Sequence, residues 1–254
     1  MFVGRLIRIK AVLEMPETGC LIVGSPRSGT TLCVSMVGAH PEIAMTSEDL
    51  CHGAQKAVGV SVWGNKLTVP NHITLDPEAD TRSYWKRLED GLRGFLGRPR
   101  GGRQLHPSCQ TTIRTYVEEK DAHVIGMIRS PNQVVDSIIH RGNQSAEEAK
   151  RRWVRAVRAI RTVVQDYPSR SYVVRFSDLV RVPEQTMGRI CAFLNVSFSS
   201  DMLDGFKYTP QYDRDDIDEE RAAAEVKDYE VQKYDWDAVK MYRQLVEHAD
   251  ELKT

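Results

Sequence analysis

The residues best suited to chemistry in this chain stand in one short turn, Gly24-Ser25-Pro26-Arg27-Ser28-Gly29-Thr30-Thr31-Leu32. An apolar run, Cys20 to Val23, leads into it and a helical pattern follows. A strand, a glycine-containing turn and a helix make an anion site, because the unpaired N–H groups of the first helical turn converge on one point. Arg27 adds a guanidinium to those amides, and Ser28, Thr30 and Thr31 add hydroxyls. A second set lies further on, where the apolar run Val124 to Ile128 ends in Arg129-Ser130-Pro131. An arginine at a strand end offers a planar fork matched to phosphate oxygens. Pro131 suits the first position of a helix, and Ser137 falls nearly two turns along it, within reach of the same phosphate.

The spacing from Gly24 to Gly29 resembles the Walker A loop, but Thr30 stands where that loop has its lysine. In ATP and GTP enzymes the lysine, with Mg²⁺, manages the charge on the β and γ phosphates. A loop without it is poorly equipped for a triphosphate. A phosphosulfate carries less charge, and backbone donors, hydroxyls and Arg27 suffice for it.

These residues need a scaffold, and the rest of the chain predicts one. Cys20 to Val23, His123 to Ile128 and Ser171 to Phe176 are short runs apolar on both parities, as expected of parallel strands buried on both faces. Helical patterns alternate with them. Trp85, Leu88, Leu92, Phe95 and Leu96 share one face, as do Trp153, Val157, Ile160 and Val164. Ser145 with Glu148 reads as a capping box opening the second of these helices, and Val182 to Val196 reads as a helix with Pro183 in its first turn. Strands alternating with helices imply an α/β fold, a three-layer sandwich around a central parallel sheet. The expectation is a single domain over 1–254, with its motif-bearing core at about 20–198 and a helical tail at about 199–254. Gly97 to Gly102 and the acid-rich Asp213 to Glu220 read as loops. Trp236, Val239, Tyr242 and Val246 form the stripe of a last helix.

Composition removes several classes of function. The chain has 254 residues, and 35 lysines and arginines balance 35 aspartates and glutamates, so overall charge argues for neither nucleic acid nor an anionic membrane. No run is long and apolar enough for a signal peptide or membrane insertion. Cys20, Cys33, Cys51, Cys109 and Cys191 are scattered and odd in number, which fits reduced thiols in the cytoplasm and no metal site.

Pro-Arg-Ser-Gly-Thr-Thr-Leu after an apolar strand resembles the 5′-phosphosulfate loop of the sulfotransferase family. Arg129-x-Pro131 followed by Ser137 resembles that family's 3′-phosphate signature. Val174-Arg175-Phe176-Ser177-Asp178-Leu179, with Ala192-Phe193-Leu194 after it, is similar to the family's Arg-Tyr-Glu-Asp-Leu strand and Phe-Leu-Gly helix, departing from them at Phe176, Ser177 and Asn195. The resemblance covers about Cys20 to Phe198. It implies the P-loop NTPase-like sulfotransferase fold, with 3′-phosphoadenosine 5′-phosphosulfate (PAPS) as donor, 3′-phosphoadenosine 5′-phosphate (PAP) as product and no metal requirement. The donor would be bound by Arg27, Ser28, Gly29, Thr30, Thr31, Arg129, Ser137 and Arg175.

The resemblance also implies a general base. Family members with this loop often carry a glutamate after the second strand, and His40 to Glu48 matches that layout. Glu48 is therefore the first candidate, and a partly desolvated carboxylate suits the task. Ser47-Glu48 equally fits the start of a capped helix. His52, one helical turn on, is the second candidate. Lys66 in Trp63-Gly64-Asn65-Lys66 looks like a family Gly-x-Lys whose lysine approaches the bridging oxygen; an exposed loop lysine is the alternative. His106 is a further candidate for the acceptor side. The cations Lys150, Arg151, Arg152, Arg155, Arg158 and Arg161 form either a solvated helix face or a basic rim for an anionic acceptor. The acceptor expected is a hydroxyl of a small molecule or carbohydrate, held by Leu50 to His72 and the tail. The competing readings are a P-loop nucleotide kinase and a non-catalytic nucleotide-binding protein.

Overall fold

In the computed structural model, which describes residues 18–49, 55, 57–76, 111–142, 144–208 and 235–251, the apolar run before the turn forms β1 (Thr18–Gly24). Cys20 and Ile22 are buried in one apolar cluster, Leu21 and Val23 in another, so the strand has no solvent face. The turn passes into α1 (Thr30–Val37), followed by β2 (Ile43–Ser47) and β3 (Val62–Thr68). After α2 (Ile113–Glu118) come β4 (Ala122–Ile128), α3 (Pro131–Gly142) and α4 (Ala146–Asp166). β5 (Ser171–Arg175) leads into α5 (Phe176–Arg181) and α6 (Pro183–Phe193). A 3-10 segment (Ser200–Tyr208) and α7 (Trp236–Glu251) complete the described elements.

The five strands pair in the order β2-β3-β1-β4-β5, and every pairing is parallel. Apolar side chains of α2, α3, α4 and α7 pack one face of the sheet, and those of α1, α5, α6 and the 3-10 segment pack the other. This is the three-layer α/β sandwich expected from the alternation of strands and helices. β1 has β3 on one side and β4 on the other, so the chain reverses direction across the sheet at the carboxyl end of β1. In open parallel sheets a ligand crevice lies at such a reversal.

Local chemistry explains the elements. Ser145 Oγ accepts from the Glu148 amide at 3.2 Å, capping α4 as its sequence predicts. Trp153, Val157 and Ile160 of that helix are buried with Ala156 and Val163 beside them.

Two expectations are corrected. Val62–Thr68, assigned in sequence to an acceptor loop, is a fully buried strand between β1 and β2. In α7 the buried positions are Ala238, Val239, Leu245 and Ala249, whereas Trp236 is 62% exposed and leaves the stripe. The helical face Trp85 to Leu96, the loop Gly97 to Gly102, the acid-rich Asp213 to Glu220, Cys51, His52, His106 and Cys109 lie outside the described residues.

Candidate active site

The carboxyl ends of β1, β2, β3 and β4 carry the polar residues that the fold gathers. At the end of β1, Ser28 donates through its amide (3.1 Å) and its hydroxyl (2.8 Å) to the Ser25 carbonyl, closing the turn. Gly29 then adopts φ 94°, a left-handed conformation that glycine takes without a Cβ penalty. A Cβ at Gly29 would also collide with the Phe176 ring. The first helical hydrogen bond of α1 runs from Cys33 N to Gly29 O at 3.0 Å, so the amides of Thr30, Thr31 and Leu32 precede it. No side chain caps this end among the described residues. Ser25 Oγ is buried in the same turn without a hydrogen-bond partner. A buried orphan hydroxyl is costly unless something fills it. An anion seated on the turn fits that vacancy of bonding.

Arg27 bridges the two anion-binding segments. Its Nε donates to Ser137 Oγ on α3 at 3.0 Å, although 110 residues separate them in sequence. Its backbone stands at φ 73°, an uncommon conformation for a residue with a long side chain. Arg129, leaving β4, donates to the Arg27 carbonyl (3.2 Å) and to Gln133 Oε1 (2.7 Å), and its guanidinium lies 4.0 Å above the centre of the Phe176 ring. The structure thus brings Arg27, Ser28, Gly29, Thr30, Thr31, Arg129 and Ser137 together. Gln133, 7% exposed, was not singled out in sequence, and Phe176 was noted there only as a departure from the family pattern. The i, i+4 spacing of Arg129 and Gln133 was the available signal.

Arg175 has a different environment. Its Nε and Nη2 hold the Asp178 carboxylate at 2.8 and 2.9 Å, and Nη1 reaches Asp250 of α7 at 3.1 Å. Its guanidinium therefore ties β5 to α5 and α7, and a phosphate at this position would have to compete with two carboxylates.

On the other side of β1, Glu48 follows β2 directly and adopts φ 59°. The capped-helix alternative is set aside, because Glu48 N donates to Lys66 O at 2.8 Å and continues the strand pairing. Lys66 is 3% exposed in β3, which corrects the loop reading, and its Nζ lies 2.7 Å from Glu48 Oε1. A buried ammonium requires such a partner. The Glu48 side chain is 43% exposed, so the carboxylate is less desolvated than expected. Asn65 next to Lys66 holds the following residue: Nδ2 donates to Asp49 O at 2.5 Å and to Tyr116 OH at 3.1 Å, while Asp49 N donates to Asn65 Oδ1 at 3.4 Å. One carboxamide pins both backbone groups of Asp49 and so fixes the turn that presents Glu48. Burial pushes the Tyr116 hydroxyl up to about 12, which keeps it protonated. His72, named in sequence only as the end of the expected acceptor loop, completes the group with Nε2 3.5 Å from Glu48 Oε2.

On the basic face of α4, four cations have acidic partners. Lys150 pairs with Glu147, Arg151 and Arg152 with Glu148, and Arg158 with Asp235, while Arg161 donates to Gln165 and Gln244. That arrangement favours the solvated-face reading. Among the described residues, no group of three or more His, Cys, Asp or Glu is placed to hold a metal ion, and no helix is long and apolar enough to cross a membrane.

Comparison with known proteins agrees with this architecture. Residues 119–200, from before β4 to the start of the 3-10 segment, match the model of the sulfotransferase family. A putative protein-tyrosine sulfotransferase of Caenorhabditis briggsae is 24% identical over 207 residues, 71% of this chain and 66% of its own length, so the chain spans about two thirds of that relative. The solved sulfotransferase domain of the Synechococcus PCC 7002 olefin synthase superposes with a TM-score of 0.51 at 19% identity, over 92% of this chain and 96% of that one. It shares the fold.

Proposed function

We propose that the chain is a sulfotransferase-family enzyme and that it transfers a sulfuryl group from PAPS to a hydroxyl of an acceptor; the matches to the sulfotransferase family support this reading. The observation that carries the donor assignment is the Arg27–Ser137 hydrogen bond, which joins the loop suited to a 5′-phosphosulfate to the helix suited to a 3′-phosphate. Arg27, the amides of the turn, and Ser28, Thr30 and Thr31 would hold the phosphosulfate. Arg129 and Ser137 would hold the 3′-phosphate. The donor, when bound, supplies a sulfuryl group on a phosphate leaving group.

The protein's own task is to position both partners and to move one proton. Glu48 would accept the acceptor's hydroxyl proton as that oxygen bonds to sulfur and the bond from sulfur to the 5′-phosphate oxygen breaks, releasing PAP. Lys66 holds the carboxylate through Oε1 and brings positive charge to the same end of the sheet. The missing loop lysine at Thr30 argues against the kinase reading. The free buried thiols Cys20, Cys33 and Cys191 suit a reducing compartment, and we propose the cytoplasm.

A small-molecule or carbohydrate hydroxyl is the reading from sequence, and the similarity to the nematode protein favours testing a tyrosine phenol beside it. Incubation with ³⁵S-labelled PAPS and three acceptor sets (simple phenols, oligosaccharides and tyrosyl peptides), with and without Mg²⁺, tests the proposal. Label transferred to any set without Mg²⁺ supports it. Transfer to none, with γ-phosphate transfer from ATP instead, would replace it by the kinase reading.

A further inference from the structure

His72 lies beyond the end of β3, and both of its ring nitrogens face site residues. Nδ1 is 2.8 Å from Thr68 Oγ1 and 3.4 Å from the Thr68 amide. A backbone N–H can only donate, so Nδ1 must be the unprotonated, accepting nitrogen, and the neutral ring carries its proton on Nε2. That Nε2 lies 3.5 Å from Glu48 Oε2, while Lys66 Nζ holds Oε1 at 2.7 Å. The ring is further anchored because the His72 amide donates to the Thr68 carbonyl at 2.8 Å.

With its Nδ1 lone pair directed at Thr68 and Nε2 already protonated, His72 has no lone pair turned toward Glu48 to take a proton from an acceptor hydroxyl there. It is not the base. We infer that His72 is a positioning residue for Glu48, presenting an Nε2–H to the carboxylate oxygen that Lys66 does not take and so holding the base in one orientation. This inference rests on the assignment of Glu48 as base.

The arrangement also couples the base to pH. The titratable and charged groups facing His72 are Glu48 at the end of β2 and Lys66 in β3. Burial holds the imidazole below its ordinary value, Glu48 opposes that shift and Lys66 adds to it. Acidification protonates Nδ1, which then meets the Thr68 amide donor to donor, and it sets a second cation against Glu48. A carboxylate flanked by two cations is a weaker base, so turnover falls on the acid side.

The test uses the full chain and labelled sulfuryl transfer. His72→Ala is expected to lower kcat about 10²-fold, with PAP affinity and thermal midpoint unchanged. His72→Gln, whose amide restores an N–H near the Nε2 position but cannot titrate, is expected to recover most of that loss and to lack the acid limb contributed by His72. In a double-mutant cycle, His72→Ala is expected to have little further effect once Glu48 is Gln, because it acts through Glu48. Wild-type kcat in His72→Ala, or losses that simply add in the double variant, would overturn this inference while leaving the base assignment in place. Full activity in Glu48→Gln alone would overturn both.

Discussion

The two sides of β1 solve opposite electrostatic problems. On the β4 side, Arg129 leans on a carboxamide, a backbone carbonyl and an aromatic face, and Arg27 leans on a hydroxyl. These contacts orient both guanidinium groups, which suits a site meant for an anionic ligand. On the β2–β3 side, charge is matched within the protein: Lys66 and His72 flank the Glu48 carboxylate. A base must keep its own charge stable until a proton arrives, and pairing does that. The same sheet end thus holds a region built to be completed by a ligand and a region already complete. Strain marks both. Arg27 and Glu48 share the left-handed backbone region with Asp121 and Asn195, whose residue types tolerate it more readily.

That contrast predicts separable effects. Glu48→Gln, which leaves an oxygen for Lys66, should lower turnover by about 10²- to 10⁴-fold with PAP binding retained. Parallel transfer assays and calorimetry check it, and equal losses in both would erase the division between the two sides. Arg129→Ala removes charge-assisted contacts worth roughly 1.5–3 kcal/mol, so PAP affinity should fall about 10- to 150-fold; unchanged affinity would move the 3′-phosphate elsewhere. Gly29→Ala forces a Cβ into a left-handed residue and against Phe176, at a cost of about 1–3 kcal/mol in denaturant unfolding. Smallest, Ser145→Ala removes the α4 cap far from either region. It should cost about 1 kcal/mol of stability and leave both PAP affinity and turnover unaltered.

The two segments of the proposed donor side were legible in the sequence because each is local. Apolar runs end in Gly24 and Arg129, Pro131 marks the helix that carries Ser137, and the resemblance to the sulfotransferase family pairs the two. The base side was harder to read. β3 carries Gly64, Asn65 and Lys66 in its middle, a composition typical of a loop, yet all three are buried because Asn65 clamps Asp49 and Lys66 meets Glu48. Polar residues inside a central strand are there for the site, and periodicity cannot distinguish them from solvent-facing ones. His72 carried no signal, since its role depends on Thr68 and on a strand neighbour, Glu48, that is distant in sequence. Trp236 misled for the reverse reason. It begins α7 with its ring exposed beneath the Arg243 guanidinium, while Ala238 and Val239 of the same turn are buried.

The most direct test is calorimetric titration of the protein with PAP, using ATP as the control and no Mg²⁺. Micromolar or tighter binding of PAP, with ATP much weaker, is the result this account predicts. Failure to bind PAP, or a preference for ATP once Mg²⁺ is added, would contradict it, because the Arg27–Ser137 junction would then not be a site for a 3′-phosphorylated nucleotide.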